Sequence, residues 1–275
     1  MPELPETETI ARDLDRQVSG ATIVAVGVPR PDVLRETGAM ALRRRITGAR
    51  IEHCWRRAKL VVLDLSTGDR LVVQPRFTGA LLVDAGQLDQ RERAYATVRL
   101  GLGDGRTLLY RDIRRLGTVA LMPTARFERY AAGLGAEPLD PEFGPGELSG
   151  LLRGSRQAVK KLLMDQRKLA GVGNIYANEA LWRAGIDPSR AARSLDAAQA
   201  AALHAGLTGV LREAVAARGT SFRDYRDASG NAGAFAEQLA VYGRAGHPCP
   251  RCGARLVGTH AIDGRSTVLC ARCQH

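Results

Sequence analysis

The chain has no run of about eighteen apolar residues, so no membrane-spanning helix is expected. Its first residues lack the basic stretch followed by an apolar one that marks a secretory leader, and a cytoplasmic location is expected. No internal repeat is evident, which excludes a solenoid. Acidic residues are in deficit: 29 Asp and Glu stand against 40 Lys and Arg, leaving a formal charge of +11. With 45% hydrophobic residues among 275, the chain folds, as two ordinary domains or one large one, and its cations favour a polyanionic partner. A generally basic, Arg-rich proteome is the competing explanation for charge by itself.

Cysteine is scarce but patterned. Four of the five fall as Cys249-x-x-Cys252 and Cys270-x-x-Cys273, the spacing of a four-thiolate zinc site. Each pair sits on a tight turn, and Arg255 to Leu269 is long enough for a hairpin that closes the tetrahedron. Paired disulfides, disfavoured in a reducing cytosol, and a redox dithiol are the other uses of such a motif. With sulfur in all four positions no site remains for a catalytic water, so one structural Zn2+ is expected. Cys54 is left over and is expected in a core.

Pro5 to Val18 reads as a helix, with Ile10, Leu14 and Val18 at four-residue spacing and acidic residues in its first turn. From Ala21 to about Val119 short alternating strands take over. Leu60–Leu65 and Leu71–Gln74 flank the turn Ser66-Thr67-Gly68-Asp69, and Ala96, Val98, Leu100 and Leu102 precede Gly103-Asp104-Gly105. That pattern predicts a β-sandwich or barrel. Residues 133–150, rich in Pro and Gly, read as an interdomain linker. Helical periodicity follows, ending in an Ala-rich helix capped by Ser194 and carrying Leu203, Leu207, Val210, Leu211 and Val215.

The N-terminus carries a possible chemistry. In Met1-Pro2-Glu3-Leu4-Pro5-Glu6 the small Pro2 favours removal of Met1, which exposes a secondary amine beside two carboxylates. Such an amine titrates near pH 8 unperturbed, and lower beside cations. Attack on a sugar C1′ expels a base and leaves an iminium that serves as an electron sink for elimination. The same prolines also serve simply to stiffen the approach to the first helix, with Glu6 and Glu8 complementing its dipole. Gly171-Val172-Gly173-Asn174 joins two helical stretches after Lys160, Lys161 and Lys168, a basic turn able to hold a DNA backbone.

Five blocks together resemble one family: Pro2-Glu3-Leu4-Pro5-Glu6, Arg56-Arg57-Ala58-Lys59, Asp112-Ile113-Arg114-Arg115-Leu116-Gly117, Asp165 through Glu179, and Tyr242-Gly243-Arg244 through Cys273. The chain resembles the formamidopyrimidine-DNA glycosylase and endonuclease VIII family, more closely the former branch. The resemblance implies an α+β multidomain fold: an N-terminal catalytic β-sandwich with flanking helices (1–132), a linker (133–150), a helix-two-turn-helix DNA-binding domain (151–240) and a C-terminal zinc-binding β-hairpin (241–275).

It implies that Pro2 is the nucleophile and Glu3 the proton donor. Glu6 is then a second acid that organises the site, with helix capping as its simpler use. Lys59 is implied as the phosphate-reaching lysine that lowers the Pro2 amine's pKa, and Asn174 and Arg265 as the pair gripping phosphates around the lesion. Tyr242 is a further phosphate contact or a buried tyrosine with a satisfied hydroxyl, and Lys160 lies near the lesion or is one exposed charge among several.

The base must be flipped out and its space filled. Where the family places methionine, arginine and phenylalanine, this chain has Phe77, Arg114 and Leu116. Ordinary core packing is the other use of Phe77 and Leu116. The segment 221–233 resembles the loop by which the purine branch covers an everted guanine, or is a plain mobile loop. The activity implied is a bifunctional glycosylase and AP lyase removing 8-oxoguanine and formamidopyrimidines from double-stranded DNA, acting as a nucleoid-associated monomer on oxidised bases and abasic sites. An endonuclease VIII type pyrimidine glycosylase and a non-catalytic binder of damaged DNA are the alternatives.

Overall fold

The computed structural model describes residues 2–275; the expected removal of Met1 concerns a residue outside that range. The chain divides into two compact units. One ends at Ala132 and takes back Ala217–Ala236; the other comprises Gly133–Ala216 and Glu237–His275.

The first unit begins with α1 (Leu4–Val18), started by Pro5, which loses nothing at a helix position whose N–H has no intrahelical partner. Ile10, Leu14 and Val18 lie fully buried along one face. Then come β1 (Ile23–Gly27), β2 (Leu34–Arg35), α2 (Ala39–Ile46), β3 (Ile51–Arg57), β4 (Leu60–Leu65), β5 (Asp69–Gln74) and β6 (Gly79–Asp84), and α3 (Gln90–Ala94), β7 (Ala96–Leu102), β8 (Thr107–Asp112), β9 (Thr118–Pro123) and α4 (Thr124–Ala131). The strands form two sheets, ordered β1-β7-β8-β6 and β2-β9-β5-β4-β3. Val61, Leu63, Leu71, Val73, Val119 and Leu121 of one face Leu81, Val83, Val98, Leu100 and Leu108 of the other across a shared core, the expected sandwich. Each such side chain contributes about 1.5–3 kcal/mol on burial. Cys54 is in this core, and burial pushes its thiol up to about 12, which makes it inert.

Sheet register positions two loops. β5 pairs with β9, ending at Gln74↔Thr118, while β6 pairs with β8, starting at Gly79↔Asp112. The β5–β6 and β8–β9 connections, residues 75–78 and 113–117, therefore cross between the sheets side by side.

The second unit holds α5 (Pro145–Arg153), α6 (Val159–Leu163), α7 (Asn174–Ala184) and α8 (Ala197–Ala216), then the antiparallel hairpin β10 (Val257–Thr259) and β11 (Thr267–Leu269). Three local expectations change. α8 is capped by Asp196, whose carboxylate accepts the Gln199 N–H at 2.8 Å; the Ser194 hydroxyl instead turns back to the Ala191 carbonyl. The stretch 133–150 is not a free tether, because Gly135 and Ala136 hydrogen-bond along 166–168 and α5 occupies its end. Residues 217–236 leave the helical unit because Arg218 pairs with Asp13 at 2.5 Å and with Asp227 at 2.6 Å, and Ala228 is buried in the sandwich core.

Candidate active site and nucleic-acid interface

At the N-terminal end of α1, Pro2 is buried and Glu3 and Glu6 are 2% and 1% exposed. Glu6 does more than cap. Its Oε2 accepts the Glu3 N–H at 2.8 Å, and its Oε1 accepts the Thr220 N–H at 2.7 Å, so one side chain ties the residue next to Pro2 to the start of the 221–233 loop. Gly219 permits this. Its φ is 83°, and a Cβ there would lie 2.9 Å from Glu6 Cγ. The Tyr225 hydroxyl, kept neutral by burial and by the Glu6 charge, donates to the Arg218 carbonyl at 3.1 Å.

Lys59 sits in the two-residue turn between β3 and β4, with Ala58 in the left-handed region at φ 54°. A non-glycine residue holds that conformation only when its surroundings insist. Here Arg56 supplies the restraint, pairing with Glu8 at 2.8 Å and donating to the Ala58 carbonyl at 3.1 Å, while the Thr7 hydroxyl reaches the same carbonyl at 3.5 Å. The turn carrying Lys59 is thereby fixed on the first turns of α1, at the end that carries Pro2.

The two crossing loops present the three residues aligned with the family's wedge. Phe77 and Leu116 are 48% and 44% exposed, which excludes a core role for both. Each follows an arginine with positive φ, Arg76 at 55° and Arg115 at 53°. The Arg114 guanidinium lies 5.4 Å from the Phe77 ring centroid, within cation–π range. Beside them a cleft of about 480 Å³ is bounded by Thr78, Tyr95, Arg111, Arg114 and, from the 221–233 loop, Arg223 and Arg226. That loop is anchored in its second half, where Asp227 accepts N–H groups from Ser229 and Asn231 and the Ala228 carbonyl accepts that of Val83; its first half exposes Phe222.

In the second unit the turn before α7 is closed by Gln166, which donates to Val172 O at 2.7 Å and accepts the Gly171 N–H at 2.9 Å. Asn174 Nδ2 donates to the Ser266 carbonyl at 2.9 Å, so it meets the hairpin residue next to Arg265, which is exposed. Lys160 is not the exposed charge of the simpler expectation. It is fully buried, and its ammonium donates to the Ser266 carbonyl at 3.0 Å and the Thr267 hydroxyl at 2.7 Å, so it braces the hairpin rather than facing solvent. Tyr242 is half-buried, and its N–H is held with those of Ala240 and Val241 by the buried Glu179 carboxylate. Glu179, Asn178, which accepts the Val268 N–H, and the buried Asp112 escaped the sequence reading because their partners lie far along the chain.

The sulfurs of Cys249, Cys252, Cys270 and Cys273 all lie within 4.8 Å of one another. A tetrahedral zinc with Zn–S bonds of about 2.3 Å needs sulfurs about 3.8 Å apart, so the cluster fits one ion. Four thiolates this close need a cation among them. Trp182 completes the surroundings. Its Nε1 is buried with no hydrogen-bond partner among the described residues, and its N–H is among the groups that lower the pKa of the neighbouring Cys249 thiol. Burial raises that thiol, but the Trp182 N–H and backbone hydrogen bonds at Arg251 and Cys252 bring it down to about 6. Trp182→Phe keeps the ring under the Arg251 guanidinium, 4.7 Å away, and removes only the N–H. It is expected to weaken zinc retention against a chelator roughly 10–100-fold, the usual effect of losing an outer-shell donor. Release at the wild-type rate would show that this N–H does nothing for the thiolate.

No helix among the described residues is long and apolar enough to cross a membrane. Three family models match the chain: the formamidopyrimidine-DNA glycosylase N-terminal domain over residues 1–119, the formamidopyrimidine-DNA glycosylase H2TH domain over 134–226, and the zinc finger found in FPG and IleRS over 246–275. The chain is 38% identical over 277 residues to the formamidopyrimidine-DNA glycosylase of Desulforamulus reducens, covering 100% of the chain and 99% of that relative. It is 30% identical to the Lactococcus lactis Fpg in complex with an N7-benzyl-Fapy-dG containing DNA, covering 100% of both chains with a TM-score of 0.91. The wild-type Lactococcus lactis Fpg bound to an oxidised pyrimidine containing DNA gives 30%, the same coverage and a TM-score of 0.90.

Proposed function

The chain belongs to the formamidopyrimidine-DNA glycosylase family, and from that premise we propose that it is a bifunctional DNA glycosylase and AP lyase of base excision repair. The observation that carries the chemistry is the N-terminal end of α1: a buried Pro2, two buried carboxylates and a lysine-bearing turn fixed on the same helix. In this reading the Pro2 nitrogen attacks C1′ of the damaged nucleotide and Glu3 transfers protons to the opening sugar. The departing base leaves a Pro2–C1′ iminium. Loss of the 2′ proton then expels the 3′ phosphate, and a second elimination expels the 5′ phosphate. Glu6 orients Glu3 through its backbone N–H, and Lys59 reaches a phosphate.

Arg265 and Asn174 hold the DNA backbone, with Lys160 bracing the hairpin beneath Arg265. Tyr242 adds a further phosphate contact. Phe77, Arg114 and Leu116 fill the space vacated by the everted base. The zinc keeps the hairpin folded and takes no part in the reaction. The protein works as a monomer on the double-stranded DNA of the bacterial cytoplasm, at oxidised bases and abasic sites.

Oxidised purines are the proposed lesions, supported by the retained 221–233 segment, whose start is tied to Glu6. The test is borohydride trapping on duplexes carrying 8-oxoguanine opposite cytosine or thymine glycol opposite adenine. A reduced adduct formed preferentially with 8-oxoguanine is expected. Adducts on thymine glycol alone would transfer the enzyme to the pyrimidine class, and tight binding without any adduct would leave a non-catalytic binder.

A further inference from the structure

The three wedge residues come from loops some forty positions apart, and something must hold those loops as one body. Asp112 does so. It is 1% exposed and closes β8 where that strand meets the start of β6. Its Oδ1 accepts the Thr78 hydroxyl at 2.5 Å, at the base of the loop that carries Phe77. Its Oδ2 accepts the Gly117 N–H at 2.8 Å, at the base of the loop that carries Arg114 and Leu116, and the Tyr110 hydroxyl at 3.3 Å.

The polarity of this network is fixed by chemistry. A carboxylate only accepts, so the Thr78 hydroxyl proton must point at Asp112, which leaves the Thr78 oxygen free to accept the Arg114 N–H at 3.0 Å. The Thr78 carbonyl in turn accepts from Arg111 at 3.0 Å. Space is as tightly set as polarity. A Cβ at Gly117 would lie 1.9 Å from the Tyr110 hydroxyl and 2.6 Å from Gln74 O, and one at Gly79 would lie 2.2 Å from Pro75 O. The two loops thus meet backbone to backbone over the Asp112–Tyr110 pair, with no room for any residue but glycine.

We propose that Asp112, acting through Thr78, is the positioning residue that clamps the two loops into a single preassembled wedge and so sets how the enzyme reads the base left opposite the lesion. The inference deepens the glycosylase reading and rests on it. Asp112 and Thr78 touch no substrate; they fix the direction in which Arg114 leaves its loop, and the Phe77 ring carries the guanidinium from there. A wedge ordered in advance loses no loop entropy when it enters the duplex. It also gives Arg114 one orientation toward the orphaned base instead of many.

Two variants test this. Asp112→Asn must turn an amide N–H2 toward one of its donors, and Thr78→Val removes the hydroxyl while keeping the shape. Each is expected to lower kcat/KM on 8-oxoguanine duplexes by about 10–100-fold, the scale of a lost buried hydrogen bond to a charged group. Preference among the four opposing bases should flatten at the same time. Cleavage of a single-stranded abasic oligonucleotide, which has no opposing base and no gap to fill, should stay at the wild-type rate, and Thr78→Ser should restore discrimination. Equal losses on duplex and single-stranded substrates would reduce Asp112 to a structural residue, and unchanged opposing-base preference in both variants would overturn the clamp. A wild-type protein inactive on both substrates would instead refute the glycosylase reading itself.

Discussion

Protein whose Pro2 nitrogen is acylated, whether by retained Met1 or by one added residue, is expected to form no borohydride-reducible adduct with abasic DNA. An amide nitrogen gives its lone pair to the neighbouring carbonyl and cannot attack C1′. The processed chain offers instead a secondary amine, which keeps its lone pair for attack. The loss should be at least about 10³-fold in strand cleavage, the order seen when a covalent nucleophile is removed. DNA affinity should survive, because the phosphate-holding groups proposed in the second unit are untouched. Mass spectrometry of the intact chain, run beside the trapping gel, gives the processed fraction. Adduct yield that fails to follow that fraction would remove Pro2 from the mechanism.

Loss of the metal should be nearly as severe, though on binding and not on chemistry. Cys270 is fully buried and its sulfur lies 3.5 Å from that of Cys252, so Cys270→Ser or a strong chelator removes the ion around which the finger folds. Zinc contributes about 10–16 kcal/mol to folding in small zinc modules. The damage spreads inward as well. The β10–β11 hairpin supplies Lys160 with two acceptors, Ser266 O and the Thr267 hydroxyl, and disrupting the acceptors of a buried cation costs about 3–5 kcal/mol. For a protein of this size that corresponds to a Tm lower by roughly 10 °C. Affinity for an abasic duplex should fall by more than about tenfold as Arg265 loses its platform. Full affinity and an unchanged melting curve in zinc-free protein would show that the hairpin holds itself.

Much of this was legible in the sequence because it is local. The Cys-x-x-Cys pairs, the strands around Ser66-Thr67-Gly68-Asp69 and the first helix each follow from spacing within a few residues. Lys160 shows where locality ends. Next to Lys161 in a basic stretch it looks like one more surface charge, and only the fold brings Ser266 and Thr267 to its ammonium. The return of Ala217–Ala236 to the first unit has the same origin, since Arg218 pairs with Asp13 some two hundred residues away. Asp112 lay inside a motif whose arginine and apolar residues drew attention, yet its partner Thr78 belongs to a different loop. Ser194 was passed over as a cap for a local reason: Asp196 is followed three residues later by Gln199, and the two exchange hydrogen bonds as a reciprocal pair.

The Glu6 carboxylate has one oxygen on each side of a decision. Through Oε2 it holds the backbone of Glu3, and through Oε1 it seats Thr220, where the 221–233 segment starts. A disturbance at either end is therefore felt at the other, without any moving domain between them. Under the proposed mechanism, a shift of the 221–233 segment that dislodged Thr220 would also disturb the backbone of Glu3, the proposed proton donor.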